Sequence, residues 1–72
     1  MEKKELIAFF AEFWEIAEDK IVDNLKLDNE TLENQSSLRF YQFIAAVESN
    51  FNVRVENINN ILTFGDLWKN VK

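Results

Sequence analysis

Two adjacent serines, Ser36 and Ser37, are the residues of this sequence best placed for chemistry. Apolar residues recur at helical spacing directly after them, so their hydroxyls are expected in the first turn of a helix. The first backbone amides of a helix have no partner inside it and lie at the positive end of its dipole, which favours a phosphate group. The position suits a phosphate. Alternatively, either serine simply caps the helix, a role worth about 1 kcal/mol.

Catalysis by the chain itself has little chemical basis. The sequence contains no cysteine and no histidine, so the usual general base, the thiolate nucleophile and the soft metal ligands are missing. Asp28, Glu30 and Glu33 lack the spacing of a calcium loop, and we expect them to be solvated charges, with a divalent-ion site as the less favoured alternative. The sequence therefore predicts a protein that is not an enzyme and holds no metal.

The charge is acidic and uneven along the chain. Thirteen acidic and eight basic residues give a net charge of -5; residues 1–35 hold ten acids and four bases, and residues 36–72 hold three acids and four bases. This balance argues against nucleic acid as a partner, because phosphate binding needs clustered lysine and arginine. Glu12, Glu15, Glu18 and Asp19 are expected to form a solvated face of the first helix, or alternatively a docking surface for a basic partner.

Size and composition indicate one domain, residues 1–72. The apolar fraction is 47% and the aromatic fraction 14%, enough to form a compact core without disulfides. The lack of cysteine fits a reducing cytoplasm. No apolar run is long enough for a signal peptide core or a transmembrane helix. We expect a soluble, cytoplasmic monomer.

The elements that would position the serines are helices. Proline is absent and Gly65 is the single glycine, so little interrupts a helix, and an all-α fold is predicted. Apolar spacing predicts a first helix from about Lys3 to Asn24. A polar segment rich in turn-forming residues follows as a long loop, anchored by Leu25, Leu27 and Leu32.

The second half of the chain is predicted to hold three further helical pieces. The second helix begins at the serines and ends near Asn50. Ile58 and Ile61 support a short helical piece, and Thr63 with Asp66 caps a terminal helix. The expected fold is a bundle of three major helices plus one short helix, with a long loop between helices 1 and 2.

Three features of this order resemble the family of acyl and peptidyl carrier proteins, over roughly residues 20–72. Ser37-Leu38 opens the second helix, and Phe51 closes it fourteen residues after the serine. The segment Asn-Val-Arg-Val-Glu-Asn-Ile from Asn52 is similar to the family's Phe-Gly-x-x-Ile-Pro turn. Thr63-Phe-Gly-Asp-Leu is close to the family's Thr-Val-Gly-Asp-Leu.

The resemblance implies an acyl-carrier-like bundle with a 4'-phosphopantetheine arm attached covalently to Ser37, with Ser36 as the neighbouring alternative. Such a protein holds acyl, aminoacyl or polyketide intermediates as thioesters and presents them to enzymes of fatty acid, polyketide or secondary metabolite biosynthesis. Its expected partners are a phosphopantetheinyl transferase and acyl- or aminoacyl-transferring enzymes. The exposed side chains expected to dock them are those of Leu38, Arg39, Tyr41, Gln42 and Ala45.

The sequence also departs from the family pattern. Ser36 replaces the usual Asp before the modified serine, and Asn34-Gln35 replaces the usual Leu-Gly lead-in. The second helix is normally acidic, but here Arg39 and Glu48 leave it formally neutral. A second hypothesis follows from these departures: an unmodified carrier-like fold that serves as a protein-interaction module through its acidic face and exposed aromatic residues.

Overall fold

A computed structural model describes residues 1–32 and 35–72 of the chain. Three α-helices, α1 (Lys3–Trp14), α2 (Ser37–Phe51) and α3 (Phe64–Lys69), are separated by the 3₁₀ helices Glu18–Lys20 and Ile58–Asn60. Within the described ranges the extended pairing is limited to two isolated bridges, Lys26 with Thr63 and Val55 with Val71. The all-α prediction is confirmed. Glu33 of the loop carboxylates and Asn34 of the lead-in lie outside the described residues.

Helix α1 is shorter than its apolar spacing predicts. It ends at Trp14 because Glu15 adopts a left-handed conformation, with φ 56° and ψ 51°. The predicted end at Asn24 is therefore wrong. The apolar spacing continues past the helix because Ile16 and Ile21 still pack against the same core from a non-helical backbone, and spacing reports burial rather than backbone conformation.

Glu15→Gly is expected to stabilise the protein by about 0.5–1 kcal/mol, since the left-handed conformation strains any residue with a Cβ and glycine is the preferred residue just after a helix. Urea unfolding followed by circular dichroism measures the change. The matched control is Glu12→Gly, within α1, which should cost about 1 kcal/mol instead. Equal destabilisation by both substitutions would mean that the helix continues through residue 15.

Aromatic rings form the centre of the core. Phe10, Phe43 and Phe64 are fully buried. The Phe10 ring meets Phe43 edge-on at a centroid distance of 5.4 Å and Phe64 at 5.3 Å, an arrangement that aromatic rings favour. These contacts join all three helices. The other buried side chains of the core are Leu6, Trp14, Ile21, Leu27, Leu32, Phe40, Ile44, Val47, Val55, Ile61 and Leu67.

The long loop is held by its leucines and by backbone hydrogen bonds to the segment that enters α3. Leu27 and Leu32 are buried and Leu25 is half-buried, which confirms the three predicted anchors. The Leu27 amide donates to the Leu62 carbonyl at 3.0 Å, and the Phe64 amide donates to the Leu25 carbonyl at 3.0 Å. These hydrogen bonds fix the part of the loop around Leu25 and Leu27 against the segment that enters α3.

Helix α3 begins with a capping box, as predicted. The Thr63 hydroxyl accepts from the Asp66 amide at 3.2 Å. One carboxylate oxygen of Asp66 accepts from the Thr63 amide at 3.2 Å and from the Leu62 amide at 3.1 Å. These donors, first the Leu62 amide, hold the pKa of Asp66 below its ordinary value because they stabilise the ionised form.

A lowered Asp66 pKa gives a pH dependence with a definite sign. The unfolded chain takes up the Asp66 proton at a higher pH than the folded chain, so this contribution is complete above the ordinary aspartate pKa near 4 and is lost as pH falls through the folded value. Urea unfolding measured from about pH 6 down to about pH 2.5 gives the free energy of unfolding, which should fall less in Asp66→Asn than in the wild type. Asp19→Asn removes one exposed carboxylate and is the matched control. Its free energy of unfolding should fall on acidification as much as that of the wild type. If the free energy of unfolding of Asp66→Asn depended on pH as that of the wild type does, the role given to Asp66 would be wrong.

Candidate functional site

The two serines at the start of α2 have different structural roles. Ser36 is the cap: its backbone is extended, and its hydroxyl accepts from the Arg39 amide at 3.2 Å. Ser37 is the first residue of the helix, and its side chain is exposed. The capping role that sequence reasoning allowed to either serine belongs to Ser36. The Ser37 hydroxyl is not needed as the cap and lies at the solvent surface.

A pocket of about 130 Å³ opens beside Ser37, between α2, the long loop and the second 3₁₀ helix. The floor is apolar, since Phe40 and Ile61 are buried. Polar groups lie around it: the Gln35 side chain donates to the Leu27 carbonyl at 3.5 Å, and the Tyr41 hydroxyl donates to Asn59 at 3.4 Å. We call this the Ser37 pocket; its lining residues are Leu27, Gln35, Ser37, Phe40, Tyr41, Ile58 and Ile61.

Most of the predicted docking side chains lie on the solvent side of α2. Leu38 is 69% exposed and Tyr41 49% exposed, and Gln42 and Ala45 are exposed as well. Leu62, next to Ile61 of the pocket, is 70% exposed. Exposed apolar side chains mark binding sites where they form one contiguous patch. The sequence did not single out Leu62, because isolated apolar residues in loops carry no pattern.

Arg39 differs from the expectation that it is exposed. Its guanidinium carbon lies 4.9 Å from the centre of the Phe13 ring and 5.3 Å from that of Trp14. Its Nη2 donates to the Phe13 carbonyl at 3.2 Å. Arg39 is therefore half-buried and joins the end of α1 to the start of α2 through cation–π and hydrogen-bond contacts. Little of its charge is presented to a partner.

The four acidic residues expected on one face of the first helix are exposed but do not share one helix. Glu12 lies in α1, Glu15 follows its end, and Glu18 and Asp19 belong to the first 3₁₀ helix. In the long loop, Asp28 accepts from the Thr31 amide at 2.9 Å, and this bond lowers the pKa of Asp28. Residues 1–32 and 35–72 contain no group of three carboxylates that could hold a metal ion.

A second, larger surface pocket of about 410 Å³ lies beside α3. It shares no lining residue with the Ser37 pocket, so the two are separate features of the surface. Its lining residues are Asp23, Asn24, Thr63, Gly65, Asp66, Trp68 and Lys69.

The comparisons with known proteins found no match for this chain. Among residues 1–32 and 35–72, no helix has the length and apolar character needed to cross a membrane. The chain matches no protein-family model, and neither a curated protein nor a solved structure matches it.

Proposed function

We propose that the protein is an acyl carrier that holds acyl, aminoacyl or polyketide intermediates as thioesters on a 4'-phosphopantetheine arm attached to Ser37. The observation that carries the proposal is the division of roles at the start of α2. Ser36 caps the helix, and Ser37 is exposed beside an open pocket. A serine hydroxyl at this position is accessible to a modifying enzyme without loss of the helix cap.

The surroundings of Ser37 fit a phosphodiester. The Arg39 amide donates to the Ser36 hydroxyl. The amides of Ser37 and Leu38 have no partner inside α2, because the first amides of a helix have no carbonyl one turn earlier. These donors and the positive dipole end of a fifteen-residue helix favour an attached phosphate. An arm bound there supplies the thiol that carries the acyl group as a thioester.

Attachment is a phosphoryl transfer from coenzyme A. The Ser37 Oγ forms a bond to the phosphorus that bears the pantetheine, and the bond from that phosphorus to the bridging oxygen of the pyrophosphate breaks. Adenosine 3',5'-bisphosphate leaves, and the serine proton is released. A separate phosphopantetheinyl transferase performs the step, and the carrier itself performs no catalysis. Leu38, Tyr41, Gln42 and Ala45, exposed around Ser37, form the surface proposed to dock this enzyme and the acyl-transferring partners, while Arg39 positions the helix.

Intact mass after incubation with coenzyme A and a broad-specificity transferase tests the proposal. We expect the wild type to gain the mass of one arm and Ser37→Ala to gain none. Ser36→Ala loses the helix cap, at a cost of about 1 kcal/mol, but should still accept the arm. Ser49→Ala, in the same helix and exposed, is the matched control for a serine-to-alanine change. Modification that persists in Ser37→Ala would contradict the assigned site.

The exposed apolar residues favour a second candidate function, an unmodified protein-interaction module. Leu38 and Tyr41 are exposed on α2, and Leu62 is exposed in the segment before α3; exposed apolar surface, where it is contiguous, marks binding sites in the absence of any arm. The two functions differ in one observable. If no transferase modifies the wild type, and the protein isolated from its native host carries no arm, the interaction module is the better account.

A further inference from the structure

We infer that the exposed face of α2 is a self-association surface, on which a second copy of this chain docks with its own α2 running in the opposite direction. The inference goes beyond the proposed function and does not depend on the arm. It is carried by the lack of charge on this face and by the order of large and small side chains along it.

The exposed face of α2 carries no charge. Charged residues make up 29% of the chain and give it a net charge of -5. All fifteen residues of α2 are described, and every exposed position among them is uncharged. Two copies of an acidic protein repel each other, and at this face they can meet without placing charges in the contact. The exposed residues are Ser37, Leu38, Tyr41, Gln42, Ala45, Ser49 and Asn50.

The two charged residues of α2 are held against the protein itself. Arg39 is half-buried on the rings of Phe13 and Trp14. Glu48 is also half-buried, and one of its carboxylate oxygens accepts from the Val55 amide at 3.0 Å. An acidic or basic partner therefore finds no opposite charge on the exposed face, whereas a second copy of the same face needs none.

Four of the exposed residues, Leu38, Gln42, Ala45 and Ser49, lie along one line of the helix. They follow one another at steps of four, three and four positions, which places them on the same side of a helix. Contact residues of paired helices have the same spacing. We call this line the α2 stripe.

The order of side-chain sizes along the α2 stripe favours an antiparallel pair. The larger Leu38 and Gln42 come first, and the small Ala45 and Ser49 follow. In an antiparallel pair related by a two-fold axis, Leu38 of each copy faces Ser49 of the other, and Gln42 faces Ala45. Each large side chain then meets a small one. A parallel pair would crowd the large residues at one end and leave a gap at the other, which close packing disfavours.

The pair is expected to be weak. A fifteen-residue helix is about 22 Å long, and one face of it forms a contact at the small end of specific interfaces, below about 1,200 Å² in total. The monomer expected from the sequence is therefore the form at low concentration, and the pair forms as the concentration rises.

Sedimentation velocity from about 10 μM to about 1 mM protein, the range in which weak complexes form, tests the pair. We expect the weight-average mass to rise toward twice that of one chain. Added salt should strengthen the association, since it screens the repulsion between two acidic chains and breaks no ion pair in the contact. A mass that stays at one chain at the highest concentration, or an association that weakens with salt, overturns the inference.

Ala45→Glu adds a carboxylate at the centre of the α2 stripe and should raise the Kd of the pair at least about tenfold, because like charges meet in the contact. Glutamate is a good helix former, and circular dichroism should show a folded monomer. Val22→Glu is the matched control: it gives the same net charge at an exposed apolar position outside α2, and should change the Kd little. An equal loss of association in both variants would mean that net charge alone controls it, and overturns the assigned face.

Disulfide trapping tests the direction of the pair. The chain has no cysteine, so a mixture of Leu38→Cys and Ser49→Cys proteins can cross-link only at the substituted positions. In the antiparallel pair the mixed cross-link should form fastest. The two copies of residue 38 lie about 16 Å apart along the helix axis, too far for a disulfide. Faster cross-linking of Leu38→Cys with itself overturns the antiparallel direction.

These outcomes are separate from those that test the proposed function. A chain that accepts the arm but does not associate overturns this inference and leaves the carrier function in place. A chain that associates but accepts no arm overturns the carrier function and leaves this inference in place. Where both hold, a second copy covers Leu38, Gln42 and Ala45, and it excludes the transferase from the surface proposed to dock it.

Discussion

Replacing Phe43 by alanine is expected to leave the chain largely unfolded at room temperature. Phe43 is fully buried, and its ring meets those of Phe9, Phe10, Phe13 and Trp14. Removing a buried phenylalanine ring costs about 3–5 kcal/mol. The core of a chain this short supplies only about 3–5 kcal/mol of net stability. The loss therefore matches or exceeds the whole stability of the domain.

Two further variants show whether the position or the residue type causes the effect. Phe43→Leu keeps most of the apolar volume and should leave the protein folded with a lower Tm. Tyr41→Ala also removes an aromatic ring from α2, but from an exposed position, and should change stability by about 0.5 kcal/mol or less. Circular dichroism and urea unfolding measure all three. A Phe43→Ala protein as stable as Tyr41→Ala would contradict the proposed core.

Gly65→Val is expected to destabilise the protein by about 1–3 kcal/mol, the range for side chains forced into packed sites. The Gly65 amide donates to the Asp23 carbonyl at 2.8 Å, and a Cβ at residue 65 would lie 3.0 Å from that oxygen and 3.2 Å from the Asp23 Cβ. A branched side chain at residue 65 would therefore push the backbone at Asp23 away from α3. The expected result is a lower midpoint in urea unfolding.

The control for Gly65→Val is Lys69→Val, at an exposed position of the same helix. It introduces the same β-branched residue without a contact to the loop, and should cost less than about 1 kcal/mol, from helix propensity and the lost cation near the helix end. Valine has a higher helix propensity than glycine, so a loss in Gly65→Val has to come from the close approach of Asp23; a Gly65→Val protein at least as stable as Lys69→Val would contradict that contact.

Parts of the fold could be predicted from the sequence because their causes are local. The start of α2 follows from Ser36, whose hydroxyl reaches an amide three residues later. The start of α3 follows in the same way from Thr63 and Asp66. Such hydrogen bonds involve neighbours along the chain, so residue type and spacing are sufficient to predict them.

The end of α1 and the direction of Arg39 could not be predicted in this way. Glu15 leaves the helix although Ile16 and Ile21 preserve the apolar spacing. Arg39 turns toward Phe13 and Trp14, more than twenty positions earlier in the chain. Both features depend on how α1 packs against α2, and spacing within one segment contains no information about its partner.

An acidic, helical chain with a serine at the first turn of its second helix can be predicted from residue types and their spacing. The assignment of Ser36 as the cap and Ser37 as the exposed hydroxyl, with Leu27 and Ile61 beside Ser37, comes from the folded structure. Helix starts depend on hydrogen bonds within a few residues. A pocket depends on side chains brought together from distant parts of the chain, and it exists only after the core has packed.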